Sequence, residues 1–129
     1  MGQCYDVNLR VRFTDEKGAK NALFAKVGRW KQEHVIYDMQ GLRMKGFDFD
    51  KIWDLMSVFF CGWGERLVET ADKKWLYSGF DASYGWEHVM MDAFEDIAPF
   101  LEEGSEIKIY PDSGLDHGVV ENGKVKWIS

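Results

Sequence analysis

Hydrophobic and polar residues alternate strictly near the start of the chain. The apolar positions are Tyr5, Val7, Leu9, Val11 and Phe13, and all four residues between them are charged or polar. Because successive side chains of a strand point to opposite faces, this period of two predicts a half-buried strand over residues 5–13.

The spacing of the apolar residues then lengthens to that of a helix. Ala19, Ala22, Leu23, Val27 and Trp30 fall near one face, with Lys26 among them. This spacing predicts a helix over about residues 15–31. Thr14 or Asp15 is the expected N-cap, because a short oxygen-bearing side chain can accept hydrogen bonds from the free amides of the first turn.

Residues 34–62 form an insert before the next predicted strands. Its first part is ambiguous, since Val35-Ile36-Tyr37 is compatible with a short strand and Gly41 and Gly46 favour a loop. Its second part carries a helical stripe, with Asp48 or Asp50 as the expected N-cap. The stripe consists of Ile52, Leu55, Met56, Phe59 and Phe60, and the helix should end at Gly62-Trp63-Gly64.

The second half of the chain predicts five strands and one helix. The strands are expected at about residues 65–71, 74–82, 105–111, 115–121 and 124–128. Ser83 is the expected cap of the helix, and Pro99 should kink or stop it. Asn122-Gly123 between two apolar runs predicts a two-residue hairpin turn, because both residues tolerate positive φ angles.

The predicted order is β-α-(α)-β-β-α-β-β-β, which belongs to the α+β class. Without the helical insert at 34–62, the order becomes β-α-β-β-α-β with an added C-terminal β-hairpin. This is the ferredoxin-like (split βαβ) arrangement, an antiparallel sheet with helices on one face. The length of 129 residues and a hydrophobic share of 46% fit a single domain over residues 1–129.

Composition also bears on the cellular setting. The N-terminus does not read as a secretory leader, and no apolar run approaches the roughly 20 residues of a membrane span. Cys4 and Cys61 are too few for a disulfide framework. We therefore expect a cytoplasmic protein with reduced thiols and no membrane association.

Candidate catalytic chemistry is sparse. His34, His88 and His117 lie far apart, and no metal-ligand spacing, phosphate-binding loop or marked nucleophile is present. We therefore expect a non-enzymatic protein without cofactor or metal. The alternative is a small enzyme of unrecognised type, which would need a deep pocket that brings His88 or His117 to a carboxylate.

Charge is distributed unevenly. Residues 78–129 carry half of the 22 acidic residues but only three of the 16 lysines and arginines, and the chain has a net charge of −6. Carboxylates gathered on one face could imitate phosphates and bind a protein with a basic surface. The predicted partner-binding residues are Glu87, Asp92, Glu95, Asp96, Glu102 and Glu103, together with Tyr84 and Trp86 as aromatic anchors. A surface kept acidic only for solubility is the plainer interpretation.

The N-terminal half supports a different hypothesis. Cations on the polar face of the first strand and on the first helix could bind a phosphate backbone. These alternative nucleic-acid-binding residues are Arg10, Arg12, Lys17, Lys20 and Lys31. Direct nucleic-acid binding is the less favoured hypothesis, because the acidic half of the chain would repel phosphates.

The segment from Trp75 to Trp127 contains WLYSGFDASYGWE, then an AFEDIAPFLEEG helix, then a glycine-containing hairpin. It resembles small ferredoxin-like proteins carried by bacterial phages and by integrative or plasmid elements. Some small acidic proteins of such elements are anti-CRISPR or anti-restriction inhibitors. The resemblance implies a mobile-element protein that inhibits a host nucleic-acid-processing protein, such as a CRISPR effector, and it supplies no site residues.

Overall fold

The computed structural model describes residues 2–32 and 39–128, and side chains within 2–27 and 39–128. The strands are β1 (Gly2–Arg10), β2 (Val68–Glu69), β3 (Leu76–Ser83), β4 (Glu106–Tyr110), β5 (Asp116–Glu121) and β6 (Lys124–Ile128). The helices are α1 (Glu16–Gln32), α2 (Met39–Met44), α3 (Ile52–Phe60) and α4 (Trp86–Ile97), followed by a 3-10 turn, Ala98–Phe100.

All six strands form one antiparallel sheet in the order β2-β3-β1-β4-β5-β6. The first four strands follow the order of a ferredoxin-like sheet, with β1 between β3 and β4. The β5–β6 hairpin extends the sheet beyond β4. The predicted α+β class and ferredoxin-like arrangement are therefore confirmed.

The core lies between one face of the sheet and the helices. Tyr5, Val7 and Leu9 of β1 are at most 1% exposed, and Ile107 and Ile109 of β4 are fully buried beside them. Side chains from α1, α3 and α4 complete the same apolar cluster. The intervening residues of each strand point to the other face, which no helix covers within the described residues. We call this second face the open face.

Helix starts partly follow the predicted caps. The Asp15 carboxylate accepts the Gly18 amide at 3.0 Å, as expected for α1. The expected caps of the other two helices are wrong. The N-caps of α3 and α4 are Lys51 and Gly85, and neither makes a side-chain cap bond.

The expected cap residues have other roles. Asp48 accepts the Asp50 amide at 3.0 Å, so both belong to the turn before α3. Ser83 is the last residue of β3, and the Tyr5 hydroxyl accepts the first amide of α4, from Trp86, at 3.2 Å instead.

The strand predicted at 65–71 is reduced to two residues. Arg66 donates to the Asp54 carboxylate at 3.0 Å and to the Gly46 carbonyl at 3.2 Å. The Leu67 amide donates to the Ser57 hydroxyl at 3.3 Å. These bonds tie residues 65–67 to α3 and its preceding loop, and pairing with β3 begins only afterwards.

The insert differs from its prediction in one further respect. The short helix α2 was not expected, because its six residues include Gly41, which favours a loop. The ambiguous Val35-Ile36-Tyr37 lies outside the described residues.

Cys4 and Cys61 are both free thiols, the first exposed and the second buried. Among the described residues, no helix combines the length and the hydropathy that a bilayer crossing requires.

Candidate binding surface

The open face has two ends of opposite charge. Strand register places Arg10, Lys108 and Lys126 in two neighbouring rows across β1, β4 and β6. We call these cations, with Trp75 and His117, the basic end. In the next two rows along the strands, the charged residues are Asp6 and then Asp81. Beside them, the Asp112 carboxylate accepts the Cys4 amide at 3.3 Å. Asp6, Asp81 and Asp112 form the acidic end.

The half-buried Trp75 ring organises the basic end. The Arg10 guanidinium and the Lys108 ammonium, from two different strands, each lie over this ring at 5.0 Å from its centroid. Arg10 also pairs with Glu106, whose second oxygen lies 2.8 Å from His117 Nε2. An indole therefore brings together two cations on a surface that remains accessible from solvent.

Tyr77 lies flat along the same face. Its hydroxyl donates to the Asp6 carboxylate at 2.7 Å, and this bond raises the pKa of Tyr77. A Cβ at Gly79 would come within 2.6 Å of that hydroxyl, so the ring occupies space that only glycine leaves free. Tyr77 thus continues the aromatic surface of Trp75 towards the acidic end.

A cleft of about 690 Å³ adjoins the basic end. Its floor is the end of β1, one wall is the turn that precedes β3, and the other is the turn that precedes β4. The lining residues are Leu9, Arg10, Val11, Arg12, Lys73, Lys74, Trp75, Glu102, Glu103, Gly104 and Ser105.

The Arg12 backbone is fixed on both sides. Its amide donates to the Ser105 hydroxyl at 3.2 Å, and its carbonyl accepts the Glu102 amide at 2.8 Å. The chain therefore continues in a defined direction after β1 ends. The strand predicted over residues 5–13 ends at Arg10, and Phe13 forms only an isolated bridge with Leu101. This conformation brings Arg12 into the lining of the cleft, next to the end of β1.

The opposite turn is held by its own side chains. Asp72 accepts hydrogen bonds from the Thr70 hydroxyl and from the Lys74 amide, and these two bonds lower the pKa of Asp72. Lys73 adopts a left-handed φ of 60°, which is uncommon for a residue other than glycine. The closed turn places Lys73 and Lys74 side by side in the cleft.

The predicted acidic set does not form a row of free carboxylates. Four of its six members accept a hydrogen bond or form an ion pair within the fold. Glu87 accepts the Tyr5 hydroxyl at 2.6 Å, Glu95 accepts the Trp127 indole N–H at 2.7 Å, Asp96 pairs with buried Lys26 at 3.0 Å, and Glu103 accepts the Asn122 amide at 2.9 Å. Asp92 and Glu102 are exposed at the surface.

The two predicted aromatic anchors differ. Tyr84 is 64% exposed, whereas Trp86 packs against the core and its indole N–H donates to the Phe59 carbonyl at 3.3 Å. Burial and the hydrogen bond to Glu87 raise the pKa of Tyr5 to about 12, so this phenol is a neutral donor at the start of α4.

The predicted basic set is divided between the sheet and the helices. Arg10 and Arg12 both line the cleft. Lys17 is exposed on α1, and Lys20 of the same helix donates to the Asp50 carbonyl at 2.9 Å. The side chain of Lys31 lies outside those described. Lys73, Lys74, Trp75, Lys108 and Lys126 were missed, although the consecutive Lys73-Lys74-Trp75 is visible in the sequence.

Among the described side chains, the histidines and carboxylates do not come together in the cleft. His117 and Glu106 are in contact, but neither lines the cleft, and His88 is exposed on α4. No three His, Cys, Asp or Glu side chains among those described are placed to hold a metal ion.

The chain matches no protein-family model, no curated protein and no solved structure. The resemblance of residues 75–127 to mobile-element proteins therefore stays a prediction.

Proposed function

We propose that this chain is a non-enzymatic binding domain that holds single-stranded nucleic acid on the basic end of its open face. The observation that carries the proposal is the Trp75 ring with Arg10 and Lys108 over it, beside a cleft lined by further cations. A cytoplasmic location fits the two free thiols.

The proposal follows from what a single strand offers to a protein. Its bases present flat aromatic surfaces, and its backbone carries one negative charge per nucleotide. Proteins that bind it combine aromatic side chains, which stack on bases, with a positively charged groove along the backbone. Trp75 and Tyr77 supply the aromatic surface. Lys108 and Lys126 supply the positive charge, together with Arg10 in its ion pair with Glu106.

The net charge of −6 limits the extent of this surface. Charges separated by more than about 8 Å of solvent are largely screened at physiological salt, so the local charge decides where a polyanion binds. The basic end attracts phosphates, whereas Asp6 and Asp81 repel them. We therefore expect a footprint of only a few nucleotides that ends before the acidic end.

The proposal is tested by fluorescence anisotropy with a labelled ten-nucleotide oligothymidylate, titrated at low salt and then at increasing salt. We expect Trp75→Ala to weaken binding about tenfold, since stacking contributes about 1–3 kcal/mol per base. We expect Lys108→Gln to weaken binding less and to reduce the salt dependence by about one counterion.

Matched controls lie off the open face. Tyr84→Ala removes an exposed aromatic ring near α4, and Lys17→Gln removes an exposed lysine from α1. Both should leave the affinity unchanged. Absence of binding at low salt, or equal losses in the controls and the open-face variants, would contradict the proposal.

A second candidate function is supported by the exposed carboxylates Asp92 and Glu102, with Glu95 and Glu103 also at the surface. We propose as this alternative a protein-binding domain of a bacterial mobile element that inhibits a basic nucleic-acid-processing protein, as anti-CRISPR proteins do. It predicts that the chain displaces DNA from a purified CRISPR effector, and that Asp92→Asn with Glu102→Gln reduces the displacement. Failure to displace DNA from any effector tested would count against it.

A further inference from the structure

We propose that the cleft beside Trp75 binds a nucleotide that ends in a phosphomonoester, with the phosphate between Arg12, Lys73 and Lys74. This inference deepens the proposed function and rests on it, because it assigns the end of the bound strand to the cleft. The ligand chemistry is that of a nucleoside monophosphate, either at the end of a strand or free in solution.

The cations of the cleft are incompletely compensated. Arg10 pairs with Glu106. Among the described residues, Arg12, Lys73 and Lys74 form no ion pair within 4.0 Å, although they line the same cleft. Asp72 acts on Lys74 at longer range, and Glu102 and Glu103 line the cleft as well, so the compensation of these cations is partial. Like charges held in one cavity repel one another, and an anion placed between them removes that repulsion.

The number of cations distinguishes a terminal phosphate from an internal one. A phosphomonoester carries a charge of about −1.5 to −2 at neutral pH and three strong acceptor oxygens, whereas a phosphodiester carries a single charge. Three cations, one from the segment after β1 and two from the turn before β3, suit the group with the higher charge. Arg12 can also bind two phosphate oxygens at once.

The size of the cleft limits how much of a strand can enter. Pockets of about 300–1,000 Å³ enclose ligands of drug-like size. A volume of about 690 Å³ is therefore large enough for one nucleotide. Trp75 lies in the same lining and can contact the base of that nucleotide, while the rest of the strand continues over Arg10 and Lys108 on the open face.

Two carboxylates also line the cleft, and they restrict the ligand further. Glu103 is bound to the Asn122 amide at 2.9 Å. Glu102 is exposed, and its oxygens can accept hydrogen bonds from the amine or hydroxyl groups of a base or sugar. Its negative charge opposes additional phosphates, so a monophosphate should bind better than a triphosphate.

The experiment compares four probes on the full chain: an eight-nucleotide oligothymidylate with a 5′-phosphate, with a 3′-phosphate or with neither, and thymidine monophosphate. We expect one phosphorylated oligonucleotide to bind at least tenfold more tightly than the unphosphorylated one. In Lys73→Gln/Lys74→Gln, this preference should disappear while the unphosphorylated oligonucleotide still binds.

The matched control is Lys17→Gln/Lys51→Gln, which removes two exposed lysines from the helical layer. It should keep the preference for the phosphorylated end, and circular dichroism would verify that both double variants are folded. Tight binding of the mononucleotide would support the cleft chemistry with a free nucleotide as its source.

The remaining outcomes separate the two proposals. Equal binding of all oligonucleotides by the unmodified chain would overturn the cleft assignment and leave the proposed function in place. Absence of any oligonucleotide binding, together with absence of mononucleotide binding, would overturn both.

Discussion

The two faces of the sheet have different chemistry although they are built from the same strands. On the covered face, β1 and β4 contribute Val7, Leu9, Ile107 and Ile109, all fully buried under the helices. On the open face, the residues between them are charged, polar or aromatic. An antiparallel sheet can keep one face in solvent, since its strands do not need helical crossovers on both sides.

This comparison separates the requirements of folding from those of binding. The covered face is constrained by packing, because a cavity or a clash there costs stability. The open face has no such constraint, yet it carries an aromatic ring with two cations and adjoins a closed turn with two lysines. Solubility alone does not require that arrangement, which supports the interpretation of the open face as the binding surface.

The largest expected effect concerns stability. Ile107→Ala removes a fully buried side chain from the covered face and should lower the free energy of unfolding by about 2–5 kcal/mol. Val119→Ala, on the open face of the neighbouring strand, should change it by about 0.5 kcal/mol or less. Urea denaturation measures both. Similar losses would mean that the open face is also part of the stabilising core.

An intermediate effect is expected for two tyrosine hydroxyls. Tyr5→Phe removes a buried hydroxyl that donates to Glu87 and accepts the Trp86 amide, and it should cost about 1–3 kcal/mol of stability. Tyr77→Phe removes the hydroxyl that donates to Asp6 on the open face, and it should cost about 0.5 kcal/mol or less.

The pKa of Tyr5 also gives a pH test of this comparison. The fold favours the neutral form of Tyr5 and raises its pKa to about 12, against about 10 in the unfolded chain. Its contribution to stability is therefore complete below pH 10 and is lost as the pH rises towards 12. The stability of Tyr5→Phe should depend less steeply on pH in that window. A curve parallel to that of the unmodified chain would refute the assignment.

The smallest expected effect lies within the open face. Asp6→Asn/Asp81→Asn removes two charges from the acidic end and keeps the oxygen that accepts from Tyr77 and from Cys4. We expect oligonucleotide affinity to rise about twofold at low salt and to be unchanged at high salt, because the repulsion acts through solvent. Asp92→Asn on α4 is the control and should have no effect.

The sequence was informative about the fold where the pattern depends on neighbouring residues. Alternation in β1 identified its buried face, because Tyr5, Val7 and Leu9 need only the geometry of a strand to share a side. The length of β2 was not predictable in this way. It depends on Arg66, which hydrogen-bonds to Asp54 and to the Gly46 carbonyl. These bonds hold the residues just before β2 against α3 and its preceding loop.

The candidate site was less predictable for the same reason. Glu87, Glu95 and Asp96 look like a free acidic surface in the sequence, but their partners Tyr5, Trp127 and Lys26 come from distant segments. Arg10 was identified from the sequence, whereas no local pattern links Lys108 to it. Only the register of β1 and β4 reveals that both cations reach Trp75.

The turn that carries Lys73 and Lys74 has a thermodynamic consequence. Its backbone is already closed by Thr70 and Asp72, so a ligand has to immobilise only side chains and not a flexible loop. That reduces the entropy lost on association. The left-handed conformation of Lys73 is a standing cost of about 1–2 kcal/mol to the free protein. The chain is thus slightly less stable than it would be with a relaxed turn, and the backbone that carries Lys73 and Lys74 is fixed in advance.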